Sequence, residues 1–156
     1  MIRVRRAKLE DVEVIDNFQN GIGEHERELD SNIKPEGKIR YYTLEDIKDL
    51  ISSEEAIIFI VENENGPIGC GSGSIQKIHA DWSRYDKKGN IGMMYVEEKY
   101  RSQGIGKIIL EKLLDWFKEK GIKDIRLQVY ENNDIAVNAY KKAGFKKYIS
   151  EMIYRP

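Results

Sequence analysis

The spacing of apolar residues predicts how the chain alternates between strands and helices. Apolar residues and arginines alternate over 2–5, which predicts a short strand with one buried face. Apolar residues then recur at helical spacing over 9–18, which predicts a first helix. Gly21 and Gly23 are expected to loosen the chain after that helix, and the polar residues 24–42 show no clear period.

The middle of the chain shows strand patterns joined by turns. Residues 43–51 begin with a capping box and predict a short second helix. The continuous apolar run at 56–61 is typical of a buried central strand. The turn signal at 63–66 predicts a hairpin with a strand over 67–79, in which alternate glycines indicate bulging or a close backbone approach. A further strand is predicted over 90–96 after a loop.

The last third of the chain completes an α/β pattern. A long amphipathic helix is predicted over 105–121, a strand over 124–130 and a short helix over 136–144. One or two terminal strands are predicted from Phe145 onward. The order β-α-α-β-β-β-α-β-α-β, with an optional last strand, predicts one α/β domain over 1–156. We expect a mixed, mostly antiparallel central sheet flanked by helices.

Composition narrows the class of protein. The chain is 40% hydrophobic and 34% charged, as in ordinary globular domains, and its net charge of −1 disfavours a nucleic-acid partner. No apolar run approaches the ~20 residues that span a bilayer, and no signal peptide is recognisable. The single cysteine, Cys70, excludes an intrachain disulfide and suits a reducing compartment. We expect a cytoplasmic protein without a membrane partner, and a homodimer stays open.

Negative charge is concentrated near the N-terminus. Between Glu10 and Asp30, eight carboxylates accompany one arginine. Solvated helix faces are the simpler interpretation of such a run. Attraction of a cationic ligand is the alternative.

Residues 101–106 are the main candidate for chemistry. They follow a predicted strand and open a predicted helix, so the first N–H groups of that helix lack partners within it. Gly104 and Gly106 allow a ligand to approach the backbone, and Arg101 and Lys107 add positive charge. This combination predicts a phosphate site. A glycine turn that binds nothing is the alternative.

Two known nucleotide-binding motifs do not fit the sequence. A P-loop requires Ser or Thr after Gly-Lys, whereas Ile108 follows Lys107 here. The glycine-rich stretch 69–73 has the wrong spacing for a dinucleotide fingerprint and lies within a predicted strand.

The segment instead resembles the signature of the GNAT superfamily of acyl-CoA-dependent N-acetyltransferases. That signature is Gln/Arg-x-x-Gly-x-Gly/Ala after a Tyr-Val strand end, matched here by Arg101, Gly104 and Gly106 after Tyr95-Val96, with Tyr100 between them. A second family motif, Asn-x-x-Ala-x-x-x-Tyr-x-x-x-Gly-Phe, is present as Asn133, Ala136, Tyr140, Gly144 and Phe145. The resemblance covers the element order of nearly the whole chain and is strongest over about 90–146.

The resemblance implies that acetyl-CoA is the cosubstrate and that neither a metal nor a covalent enzyme intermediate is used. The strand backbone at Met94, Tyr95 and Val96 would bind the pantetheine arm, and one N–H would polarise the thioester carbonyl. Asn133 would bind or shape the pantetheine slot, and Tyr140 would protonate the departing thiolate. The alternative for Tyr140 is a core tyrosine. The implied cofactor-binding residues around the turn are Arg101, Ser102, Gln103, Gly104, Ile105, Gly106 and Lys107.

The general base does not follow from the resemblance. An alkyl ammonium must lose a proton before it attacks, which costs roughly 4 to 5 kcal/mol at neutral pH. Many relatives place a carboxylate on one of two strands, but here the first strand has none before Glu97 and the second has Gln128. Cys70 is expected to be a buried strand residue. The candidate bases are Glu24 and Glu97, followed by His25, Glu26 and His79.

Together these features predict an N-acetyltransferase that moves acetyl from acetyl-CoA to a primary amine by direct attack. The acidic segment favours a small cationic acceptor. A protein or peptide amine as the acceptor, and a non-catalytic acyl-CoA-binding module, are the alternatives.

Overall fold

All 156 residues are described by the computed structural model, which contains one five-stranded sheet in the order β1-β2-β3-β4-β5. The strands are β1 (Arg3–Arg6), β2 (Ala56–Asn63), β3 (Gly66–Lys77), β4 (Lys87–Val96) and β5 (Ile125–Leu127). The first four strands pair antiparallel in sequence order, and β5 pairs parallel with β4. The expected mixed, mostly antiparallel sheet is confirmed.

Two pairs of helices cover the two faces of the sheet. They are α1 (Val12–Leu29), α2 (Leu44–Ser52), α3 (Ile105–Glu119) and α4 (Asp134–Lys142). None of them combines the length and apolar composition needed to cross a bilayer. The core under α1 and α2 consists of Val12, Ile15, Phe18, Ile47, Ile58, Ile60, Cys70 and Met93. The core under α3 consists of Ile57, Val61, Ile68, Ile91, Ile105, Ile109, Leu110, Leu113, Trp116, Phe117 and Ile122.

Helix α1 is longer than the sequence predicts. The expectation that Gly21 and Gly23 loosen the chain is wrong, because α1 continues through both to Leu29. The glycines serve close packing instead. A Cβ at Gly21 would lie 2.6 Å from the ring of Tyr95, and a Cβ at Gly23 would overlap the side chain of Ile39. The helix can therefore approach both neighbours only without side chains at these positions.

Buried polar groups of α1 anchor the segment before α2. The side chain of Gln19 is fully buried, and its Oε1 accepts from the backbone N–H groups of Tyr41 at 3.1 Å and Tyr42 at 3.0 Å. Its Nε2 donates to the carbonyl oxygen of Tyr42 at 2.8 Å and to Oδ1 of Asp16 at 2.7 Å. Asp16 in turn accepts from Nε and Nη2 of Arg40, both at 2.9 Å. The polar stretch 24–42, which shows no clear period in the sequence, is therefore fixed at its end by residues 40–42, which we call the anchored segment.

Helix α2 begins as the sequence predicts. The Thr43 hydroxyl accepts from the N–H of Asp46 at 3.1 Å, and the Asp46 carboxylate accepts from the N–H of Thr43 at 2.8 Å. This reciprocal capping box fixes the start of the helix directly after the anchored segment.

The C-terminal segment differs from the prediction of one or two terminal strands. Residues 145–156 form no regular secondary structure, and β5 is only three residues long, shorter than the predicted strand over 124–130. So short an edge offers few backbone groups for another strand to pair with. Side chains hold the segment instead: the Arg126 guanidinium lies 4.8 Å from the centre of the Tyr148 ring.

Asp16 gives a test of how the anchored segment is held. Hydrogen bonding to Arg40, which outweighs the opposing effect of burial, holds the pKa of Asp16 well below its usual range. The stabilisation is therefore present above the ordinary aspartate pKa of about 3.9 and is lost as the pH falls toward the lower pKa of the folded state. We expect Asp16→Asn to lower the free energy of unfolding at neutral pH by about 1.5 to 3 kcal/mol. Denaturant titration at neutral and acidic pH measures this.

The exposed Asp115 on α3 provides the matched control. Asp115→Asn should leave the free energy of unfolding nearly unchanged, whereas Asp16→Asn should also weaken its dependence on acid. Equal, small losses in the two variants would contradict the role assigned to Asp16.

Candidate active site

The predicted phosphate-binding turn lies between β4 and α3. A 3₁₀ turn over Glu98–Tyr100 leads into it, and Ser102 and Gly104 have φ angles of 62° and 80°. Two residues in the left-handed region thus turn the chain sharply into the helix. A Cβ added at Gly104 or Gly106 would meet no atom within 4 Å. The backbone of the turn therefore faces open space.

The first turn of α3 presents free N–H groups. The N–H of Ile108 is the first to bond within the turn, to the carbonyl oxygen of Gly104 at 3.1 Å. The N–H groups of Ile105, Gly106 and Lys107 have no backbone acceptor. They point along the positive end of the helix dipole, which is the arrangement that binds phosphate.

Arg101 joins this turn to the end of β4. Its Nε donates to the carbonyl oxygen of Val96 at 2.8 Å, and its guanidinium lies 5.6 Å from the centre of the Tyr95 ring. The contact ties the turn before α3 to the end of β4. Lys107 is exposed and lies 3.8 Å from Glu111.

Strands β4 and β5 pair over only three residues and then separate. The pairing covers Gly89–Ile91 on β4 and Ile125–Leu127 on β5, while β4 continues to Val96. We call the space beside the unpaired part of β4 the β4–β5 opening. It begins at the end of the strand pairing and leads toward the turn that precedes α3.

The backbone of β4 presents alternate N–H groups to the opening. The N–H of Met93 donates to Oγ of Ser72 at 2.7 Å and that of Glu97 to the carbonyl oxygen of Ile68 at 2.9 Å, so both point toward β3. Because this direction alternates along a strand, the N–H groups of Met94 and Val96 point toward the opening. By the same alternation, the backbone N–H of Tyr95 points toward β3.

Helix α4 begins directly after Asn133 and brings Tyr140 to the α3 side of the sheet. Oδ1 of Asn133 caps the helix by accepting from the N–H of Ala136 at 3.3 Å, so its amide N–H groups stay available to donate. Tyr140 packs against the core under α3, with its ring centre 5.8 Å from that of Phe145. Burial raises the pKa of Tyr140, so the phenol stays protonated at neutral pH.

The structure separates the candidate bases. Glu24 is exposed on α1 and pairs with Arg27 at 3.0 Å, and His25 is exposed on the same helix. His79 is exposed in the loop after β3. Glu97 differs from these because it follows β4 directly. A shallow cleft of about 550 Å³ is lined by Tyr95, Glu97, Glu98 and Lys99.

Cys70 is buried in the core under α1 and α2, as the sequence predicts. Burial raises the pKa of its thiol to about 12, so almost no thiolate forms at neutral pH. Cys70 therefore contributes to packing and has no role as a nucleophile.

Sequence reasoning missed three tyrosines on the α1 side of the sheet. The Tyr41 hydroxyl donates to the carboxylate of Glu26, and that of Tyr130 donates to Oδ2 of Asp30 at 2.8 Å. Burial, together with the bond to Asp30, raises the pKa of Tyr130 to about 12. Tyr42, the third, lies next to β4. Two adjacent aromatic residues in an otherwise polar segment were the signal that could have identified Tyr41 and Tyr42.

Comparison with known proteins gives consistent results. The model of the Acetyltransferase (GNAT) family matches residues 6–145. The N-alpha-acetyltransferase of Sulfurisphaera tokodaii is 28% identical over 149 residues, which cover 93% of this chain and 80% of that protein.

Two solved structures show the same fold. One is a predicted acetyltransferase with acetyl-CoA from Clostridium acetobutylicum, with a TM-score of 0.78 and 21% identity over 99% of this chain and 96% of that one. The other is the aminoglycoside antibiotic 6'-N-acetyltransferase AAC(6')-Ih from Acinetobacter baumannii, with a TM-score of 0.73 and 11% identity over 100% of this chain and 98% of that one.

The glycines of the turn give a test that separates binding from stability. Gly106 lies within α3, so Gly106→Ala should stabilise the free protein by about 0.5 to 1 kcal/mol. The family signature admits alanine at this position, so Gly106→Ala should bind acetyl-CoA like the wild type. The bulkier side chain of Gly106→Val should instead tilt over the free N–H groups and weaken binding. Thermal unfolding and calorimetric titration with acetyl-CoA measure the two effects. Unchanged affinity in Gly106→Val would contradict the assigned phosphate site.

A matched pair of glycines with positive φ serves as the control. Gly104 has φ 80° and Gly121, after the far end of α3, has φ 73°. Alanine at either position should cost about 1 to 2 kcal/mol of stability. Only Gly104→Ala should also weaken acetyl-CoA binding, because only Gly104 shapes the turn.

Proposed function

The chain belongs to the Acetyltransferase (GNAT) family, and on this basis we propose that it transfers acetyl from acetyl-CoA to the primary amine of a small cationic acceptor. The observation that carries the proposal is the β4–β5 opening, which connects the free N–H groups of β4 with those of α3. The N–H groups of β4 suit the carbonyl oxygen of a thioester, and those of α3 suit a pyrophosphate.

The residues present fit acetyl-CoA, which supplies the activated acetyl thioester. The N–H groups of Ile105, Gly106 and Lys107 would hold the pyrophosphate oxygens, and the side chains leave this backbone accessible. The N–H of Met94 or of Val96 would donate to the thioester carbonyl oxygen and stabilise the negative charge that develops there on attack.

The transfer itself requires two proton movements. The acceptor nitrogen forms a bond to the acetyl carbon and loses a proton, for which we propose Glu97, directly after β4, as the base that receives it through a chain of water molecules. The bond between the carbon and sulfur breaks, and the Tyr140 phenol donates its proton to the departing thiolate. The raised pKa of Tyr140 keeps that proton in place until the thiolate forms.

Negative charge on the α1 side of the opening supports a cationic acceptor. Glu26 and Asp30 are held there by hydrogen bonds from Tyr41 and Tyr130, which fix the two carboxylates in position. The anchored segment and the residues after β5 thus meet around an acidic surface. An ammonium group is attracted to such a surface before it is deprotonated.

The N-terminal amine of a protein is a second candidate acceptor. It is favoured by the likeness to the Sulfurisphaera tokodaii N-alpha-acetyltransferase, which extends over 93% of this chain. The likeness to an aminoglycoside acetyltransferase favours the small-molecule acceptor. We also propose that the enzyme acts in a reducing compartment, the cytoplasm, as its single buried thiol suggests.

Turnover measurements with a panel of amines test the proposed function. Thiol release from acetyl-CoA should be fastest with small polycationic amines, and slower with peptides that have a free N-terminus. Tyr140→Phe should lower kcat by about 100-fold or more while leaving acetyl-CoA affinity unchanged, because the phenol acts only after attack.

Tyr148→Phe, in the exposed C-terminal segment, is the control and should behave like the wild type. Turnover with peptides alone would favour the second acceptor. Acetyl-CoA binding without turnover of any amine would exclude the proposed transfer.

A further inference from the structure

Strand β4 contains a bulge at the start of the β4–β5 opening. Gly71 pairs with Met94 and Gly73 with Ile91, so Ser72 faces both Gly92 and Met93. Such an extra residue reorients the strand locally. The side chain of Ile91 consequently lies in the core under α3, and that of Met93 lies in the core under α1 and α2.

Two hydroxyl groups approach Gly92 in this bulge. A Cβ at Gly92 would lie 2.8 Å from Oη of Tyr42 and 2.9 Å from Oγ of Ser72. Gly92 itself is exposed, so the space beside it is open to solvent. We call the space bordered by Gly92, Tyr42 and Ser72 the Gly92 notch. Because residue 92 has no side chain, both hydroxyl groups can approach the strand closely, and the notch is the solvent-facing side of this contact.

The Tyr42 hydroxyl is available for a ligand. It makes no hydrogen bond within the chain, and burial raises the pKa of Tyr42, so the group is a neutral phenol that can both donate and accept. Ser72 differs, because its Oγ already accepts from the N–H of Met93 at 2.7 Å. Tyr42 is therefore the stronger candidate to receive a hydrogen bond in the notch.

The position of Tyr42 is fixed by its backbone. The side chain of the fully buried Gln19 bonds both the N–H of Tyr42, at 3.0 Å, and its carbonyl oxygen, at 2.8 Å. The capping box of Thr43 follows immediately. Gln19 and the capping box thus fix the backbone on both sides of Tyr42. This fixed backbone preorganises the Tyr42 hydroxyl, as is required of a group that orients a reactant.

The notch lies close to the N–H of Met94 but on the opposite side of the sheet from Tyr140. Met94 lies two positions beyond Gly92 along β4, a distance of about 7 Å. Tyr42 approaches from the α1 side, whereas Tyr140 belongs to the core on the α3 side. A nucleophile in the notch and a leaving group near Tyr140 would thus lie on opposite sides of the carbonyl bound by β4.

We propose that Tyr42 is a specificity-determining residue whose hydroxyl oxygen accepts a hydrogen bond from the acceptor's amino group in the Gly92 notch. One N–H of the neutral amine is held by Tyr42 while its lone pair faces the thioester carbonyl. Gly92 allows the Tyr42 hydroxyl to lie against β4, since a methyl group at residue 92 would crowd both hydroxyl oxygens. This inference rests on the proposed function.

The test compares Tyr42→Phe with the wild type, using the best amine from the panel. Loss of one hydrogen bond should lower kcat/KM for the amine by about tenfold. The affinity for acetyl-CoA and the melting temperature should not change, because the phenyl ring and the backbone contacts of Tyr42 are retained. Tyr85→Phe, in the loop before β4, is the matched control and should be unaffected.

Gly92→Ala tests the same contact from the strand side, because its Cβ should displace the Tyr42 hydroxyl. Its Cβ should lower kcat/KM for the amine at least as much as Tyr42→Phe does, again with unchanged acetyl-CoA affinity. Wild-type turnover with unaltered kcat/KM in both variants would overturn the inference and leave the proposed function intact. A fall in melting temperature with parallel losses for both substrates would show a structural role and also overturn it. Absence of wild-type turnover with every amine would instead refute the proposed function.

Discussion

The early separation of β4 and β5 is the constraint on which the rest of the site depends. Parallel strands satisfy each other's backbone groups, and here that pairing stops after Ile91 and Leu127 although β4 continues to Val96. The N–H groups of Met94 and Val96 are thereby left for a ligand. Arg101 holds the unpaired strand end against the turn before α3, so the two sets of free N–H groups keep a fixed relation.

The two faces of the sheet divide the chemistry between them. On the α3 side lie the glycine turn and Tyr140, which we propose bind the cosubstrate and protonate its leaving thiolate. On the α1 side, the buried pair Asp16 and Gln19 holds an otherwise irregular segment, and this brings Tyr42 to the bulge at Gly92. The burial of these polar groups is tolerated because each is fully hydrogen-bonded.

The sequence predicted the elements whose signal is local. The capping box at Thr43, the turn at Gly104 and the close approach of the β3 glycines follow from short motifs, and a Cβ at Gly73 would indeed lie 2.9 Å from Phe117. The continuation of α1 through Gly21 was missed because this glycine serves close packing against the ring of Tyr95, which is distant in sequence. The predicted terminal strands failed similarly, since their partner, β5, is too short. The α1 side of the sheet, where we propose that the acceptor binds, is formed by contacts between residues that are distant in sequence. The sequence therefore indicated only the negative charge there.

Amide hydrogen exchange, resolved by residue, tests the central claim most directly. In the free protein, the amides of Met94 and Val96 should exchange faster than that of Tyr95, whose N–H points toward β3. Addition of acetyl-CoA should protect Met94 and Val96 together with Ile105, Gly106 and Lys107, and leave Tyr95 unchanged. If acetyl-CoA binds but Met94 and Val96 exchange as in the free protein, the β4–β5 opening is not where the thioester lies.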